Sequence, residues 1–115
     1  MELWHHPRCS KSRAAKGLLE ERGVPFAERR HLERPPSPAE LDAVLRALGR
    51  EPWELARLGE PVARELGLRD APRDRARWIA LMTEHPVLIE RPILVAGDGR
   101  AVLGRPPEAV LALLG

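Results

Sequence analysis

The chain holds a single cysteine, and the residues around it are the part of the sequence best suited to chemistry. Cys9 lies in the run His5-His6-Pro7-Arg8-Cys9-Ser10-Lys11-Ser12. A cysteine packed in a core behaves as a small inert hydrophobe. Pro, Arg, Ser and Lys are poor core residues, so this setting points instead to a reactive thiol. Arg8 and Lys11 flank it, and His5 precedes it by four positions. Each favours the thiolate where it lies close, and the thiolate is the nucleophilic form. One cysteine closes no intramolecular disulfide. Four scattered histidines make a weak zinc set, so no metal is expected.

The flanking pattern places this thiol at a helix start. Leu3 to His5 reads as a short strand, and HPRCS reads as a tight loop. From Ser10 to Arg22, Ala14, Ala15, Leu18 and Leu19 recur at helical spacing, and Gly23 supplies a stop. A thiol at the helix N-terminus meets unsatisfied backbone N–H groups and the positive end of the dipole. The same terminus attracts an anion, so an anionic substrate suits the site.

Val24 to His31 reads as a second strand, which makes a parallel pair with a crossover helix. After the rigid connector ERPPSP, Ser37 is a good N-cap, Pro38 suits the first helical position, and Glu40 completes a capping box. Leu41, Val44, Leu45 and Leu48 form the buried face of that helix, which Gly49 ends. Helical pieces follow over Trp53–Leu58 and Pro61–Leu66, and a further helix over Arg73–Glu84 carries Trp78, Ile79, Leu81 and Met82. Arg91–Ala96 is an apolar strand, Gly97-Asp98-Gly99 a hairpin turn, and Arg100–Leu103 the returning strand. Pro106-Pro107-Glu108 opens a closing helix with Val110, Leu111, Leu113 and Leu114. The order β-α-β, helical insertion, β-β-α predicts an α/β thioredoxin-like fold with a four-stranded mixed sheet. One domain is expected over residues 1–115, with the insertion at about 37–85.

Composition narrows the class. Of 115 residues, 43% are apolar, as in a globular protein. No apolar run approaches the roughly 18–20 residues that cross a bilayer. The first ten residues hold no apolar export signal, so a cytoplasmic protein is expected. The net charge of +2 gives no evident nucleic-acid footprint. Seventeen of the nineteen basic residues are Arg. A GC-rich genome accounts for such an excess, but not for where particular arginines sit. Arg presents a planar donor fork suited to oxyanions.

The segment WHHPRCSKS resembles the strand-loop-cysteine signature of the ArsC-type arsenate reductase family, a group that also holds Spx-like regulators. The resemblance continues in order through HLERPPSPAEL, RLGEPVARELGL, HPVLIERPILV and GRPPEAV. HPVLIERPILV is its most specific piece. It implies Cys9 as nucleophile and His5 as the residue that lowers its pKa. It implies Arg57, Arg91 and Arg105 as an oxyanion clamp, with Ser12 at the end of the loop. It also implies a cis bond before Pro92. The family's reductases usually carry Gly directly after the cysteine, where this chain has Ser10, and Arg8 is bulky.

By that resemblance the expected activity is reduction of arsenate to arsenite. Glutathione is the implied co-substrate, glutaredoxin the implied partner, and no bound cofactor is needed. A glutathione-dependent mixed-disulfide reductase without arsenate activity is the nearer alternative. A regulator that binds RNA polymerase is the more distant one. Such regulators commonly carry a CxxC switch, and Ser12 stands where its second cysteine would be.

Overall fold

The computed structural model describes residues 1–114 and has the expected α/β architecture. Strand β1 (Glu2–Trp4) leads through the cysteine loop to helix α1 (Ser10–Glu21) and strand β2 (Ala27–Arg29). Helices α2 (Pro38–Leu48), α3 (Pro52–Leu55), α4 (Pro61–Glu65) and α5 (Arg75–Glu84) then intervene before strands β3 (Ile93–Val95) and β4 (Ala101–Leu103). The sheet order is β2-β1-β3-β4, with β1 and β2 parallel and the other pairs antiparallel.

The strands are short, but their register sorts two cores. Leu3 pairs with Leu94, and Trp4 with Ile93. Alternation along a strand sends these pairs to opposite faces. Leu3 and Leu94 meet Ala15, Leu19 and Val110, which seats α1 on one face. Trp4 and Ile93 join Leu41, Leu45, Trp78, Met82 and their neighbours, which seats the helical insertion on the other. Among the described residues no helix is long and apolar enough to cross a membrane.

Most element bounds shift by a few residues, and three of the differences have a clear local reason. The second strand is only Ala27–Arg29. At its start, the Val24 N–H is taken by Leu19 O to close α1, with Gly23 at φ 65°, and Pro25 has no N–H to offer. At its end, Arg30 O accepts from Glu33 and Arg34, which turns the chain away. The closing helix is a 3₁₀ segment, Pro107–Leu113. Its bonds close over three residues, as in Ala109 N–H to Pro106 O, and the tighter winding keeps Val110 buried under α1. Helix α5 begins at Arg75 because the Asp74 side chain caps it, accepting from the Arg77 N–H.

Helix α2 begins as its sequence dictates. Ser37 Oγ accepts from the Glu40 N–H at 3.1 Å, and Glu40 Oε1 accepts from the Ser37 N–H at 2.9 Å. Arg29, at the end of β2, also donates to Glu40 Oε2 at 2.6 Å, so one carboxylate joins sheet and insertion. Arg29 holds the Glu40 carboxyl well below the usual range, at about 2. We expect Ser37→Ala to cost about 1 kcal/mol, the usual worth of an N-cap. Urea unfolding checks this as a lower midpoint at unchanged slope.

Candidate active site

The thiol, its helix terminus and two arginine-proline corners converge at one end of the sheet. Cys9 is the N-cap of α1, in extended backbone conformation, and its thiol is partly exposed. The Cys9 N–H donates to His6 O at 3.0 Å, which tightens the loop and sets the sulfur over the helix end. Burial pushes the thiol pKa up. The Ser12 and Lys11 N–H groups, the Arg91 guanidinium and the Arg105 charge more than offset this, and the net direction is down. We expect the alkylation rate of Cys9, followed against pH, to show a midpoint below that of free cysteine. A midpoint at or above it would contradict this balance.

One of the three arginines, Arg105, contacts the sulfur, and Arg91 helps to lower the thiol pKa. Arg105 Nη2 lies 3.7 Å from Cys9 Sγ, across 96 residues of chain, and its Nε donates to Arg91 O at 2.8 Å. Arg91 is buried, with only 6% of its surface exposed. One of its terminal nitrogens donates to Val87 O at 3.2 Å, while its Nε has no partner among the described residues. Both the Arg91–Pro92 and Arg105–Pro106 bonds are cis. Gly104 packs between these corners. Its N–H donates to Pro92 O at 2.8 Å, and a Cβ there would sit 2.6 Å from the Pro92 ring.

Arg57 is placed differently. Its backbone N–H donates to Leu88 O at 2.7 Å, and Glu90 N–H donates to Leu55 O, so the insertion is stitched to the segment before β3. Its guanidinium is engaged by Glu60 and Glu90, and no bond from it to Cys9 is present among the described residues.

His5 and Ser12 lie beneath the loop. Ser12 is fully buried and His5 nearly so. Ser12 Oγ sits 2.8 Å from His5 Nδ1 and accepts from the His6 N–H at 3.0 Å. Its hydroxyl therefore faces the interior, while its N–H is the group that serves the sulfur. Burial lowers the His5 pKa against the opposing pull of Glu28, so the neutral imidazole prevails at pH 7. His5 meets the cysteine helix through Ser12, and no bond from it to Cys9 is present among the described residues.

Two residues here drew no attention as site candidates in the sequence. Glu90 Oε1 binds Arg57, lies 3.0 Å from Arg105 Nη2 and accepts from the Arg91 N–H. Its sequence signal is a carboxylate directly before an arginine-proline pair. His31 is fully buried, neither ring nitrogen has a partner among the described residues, and burial lowers its pKa to about 4. No local pattern marks it. Among the described residues no three His, Cys, Asp or Glu side chains gather as a metal-ligand set.

A thioredoxin-like sheet thus presents a helix-capping thiol beside two arginine-proline corners. The ArsC family model matches residues 4–113. The chain is 39% identical over 115 residues to an arsenate reductase of Neisseria meningitidis, covering 99% of this chain and 97% of that one. It is 49% identical over 113 residues to an uncharacterized protein of Streptomyces viridochromogenes, covering 96% and 95% of the two. A solved arsenate reductase from Vibrio cholerae superposes with a TM-score of 0.90 at 42% identity, covering 97% of each chain. This chain belongs to the ArsC family, and it is an oxidoreductase.

Proposed function

We propose that the chain reduces arsenate to arsenite, with the Cys9 thiolate as nucleophile. The observation that carries this reading is a helix-capping thiol with Arg105 Nη2 at 3.7 Å from its sulfur, a thiol whose pKa Arg91 also helps to lower. The thiolate attacks arsenic, forming an S–As bond as an arsenate hydroxyl takes a proton from solvent, its As–O bond breaks and it leaves as water. Arg91 and Arg105 hold the remaining oxygens and stabilise the developing charge. A glutathione thiolate then attacks Cys9 Sγ. The S–As bond breaks, and arsenic departs as arsenite with the bonding electron pair. Two thiols have given one mixed disulfide, and arsenic has gained two electrons. Glutaredoxin reduces that disulfide by thiol–disulfide exchange, because this chain has no second cysteine to resolve it.

The test is arsenate turnover by the purified protein with glutathione and glutaredoxin, beside Cys9→Ser and Arg91→Ala. Turnover lost in both variants supports the reading. A folded wild type with a reactive thiol and no turnover overturns it. One observation favours a second reading: Arg57 is held by two carboxylates, which leaves a clamp of two arginines. A glutathione-dependent mixed-disulfide reductase needs only Cys9 and its helix terminus. Reduction of a small disulfide that survives Arg91→Ala would mark that activity.

A further inference from the structure

We infer that Glu90 sets the specificity of this anion site, selecting a tetrahedral oxyanion that still carries a proton. The inference rests on the reading of Cys9, Arg91 and Arg105 as an oxyanion site and names the ionic form that the site takes.

The geometry puts a carboxylate where an anion must bind. Arg105 Nη2 stands between two partners, Cys9 Sγ at 3.7 Å and Glu90 Oε1 at 3.0 Å. An oxyanion arriving at the sulfur therefore meets Glu90 across one guanidinium nitrogen. The same Oε1 accepts from Arg57 and, at 3.3 Å, from the Arg91 N–H. Among the described residues none of the hydrogen bonds to Glu90 falls on Oε2, which leaves that oxygen available as an acceptor. The carboxylate is tied in place from three directions, by α3's following loop, by the segment before β3 and by the corner after β4. It cannot swing away from an incoming anion without releasing Arg57.

A carboxylate has only acceptor capacity. Facing an oxygen that bears hydrogen, it gains a charge-assisted hydrogen bond. Facing a bare anionic oxygen, it adds repulsion and leaves both groups unpaired, which is how a site rejects a near-isostere. Hydrogen arsenate and hydrogen phosphate keep an O–H near neutral pH, and sulfate of the same shape has none. Glu90 is 24% exposed, so solvent screens the discrimination and holds it below that of a closed pocket. We expect a preference of at least about tenfold for the protonated ion, well short of the ~10⁴-fold reached by fully enclosed sites that bind a substrate hydroxyl.

The experiment reads binding through the thiol, without turnover. Iodoacetamide alkylation of Cys9 is followed at fixed ionic strength while inorganic phosphate or sulfate is titrated in. At about pH 8 both ions are mainly dianions, so they differ in the proton and not in charge. Wild-type protein should be protected by phosphate at concentrations at least about tenfold lower than by sulfate. In Glu90→Gln the amide can donate to a bare oxygen as well as accept, so the preference should fall to about threefold or less. Equal protection by the two ions in the wild type overturns the inference and leaves the oxyanion reading standing. An unchanged preference in Glu90→Gln also overturns it, moving the selection to another residue. Protection by neither ion overturns both readings.

Discussion

Arg91→Ala should lower kcat/KM for arsenate by about 10² to 10³, the usual cost of removing one preorganised oxyanion donor. Arg91 is buried, its carbonyl accepts from Arg105, which contacts the sulfur, and its Nε carries no partner among the described residues. A guanidinium so placed has donors to spare for a ligand. Its removal also takes away one of the groups that depress the Cys9 pKa. The loss should therefore come with a higher alkylation midpoint. Lys at this position keeps the charge but loses the planar fork, so Arg91→Lys should recover the midpoint better than the turnover. Steady-state kinetics and the alkylation profile, with circular dichroism to confirm folding, check all three. Turnover within threefold of wild type in Arg91→Ala would remove Arg91 from the reaction.

Leu94→Ala should destabilise the protein by about 2–5 kcal/mol. Leu94 is fully buried in β3, between Leu3 of β1 and Val102 of β4. It packs with Ala15, Leu19 and Val110, so the cavity would open under α1 with rigid neighbours on every side. The total stability of a domain of this size is about 5–15 kcal/mol, so one such loss is a large share. Urea unfolding measures it directly. A loss under about 1 kcal/mol would mean that the sheet and α1 close over the gap. The same substitution weakens the floor beneath the Cys9 helix, so activity should fall at lower temperature than in the wild type.

Much of the fold was legible because its signals are local. The Ser37–Glu40 box, Pro38 and Gly49 bound α2 within a few residues, and periodicity chose its buried face. Cys9 at the start of α1 follows from a strand, a proline-bearing loop and a helical repeat read in order. The arginines were named through the family resemblance, since nothing near Arg91 or Arg105 states which way either faces. For Arg57 that route names a role but no partners. Its carboxylate partners, Glu60 and Glu90, come one from the next turn and one from 33 residues away. The second strand reads longer in the sequence because Val24 and Phe26 suit a strand by type. The backbone uses Val24 to end a helix and turns the chain at His31. His31 is invisible to any local rule, for its burial depends on elements that pack against it from elsewhere.

The separation of 96 positions between Cys9 and Arg105 gives the site an order of assembly during synthesis. The cysteine leaves the ribosome well before the arginine that faces it. Until that corner docks, the thiol lacks one of the charges that ionise it, and the growing chain carries a less activated sulfur. Activation arrives with the closing hairpin, so thiol reactivity reports completion of the fold and not merely presence of the cysteine.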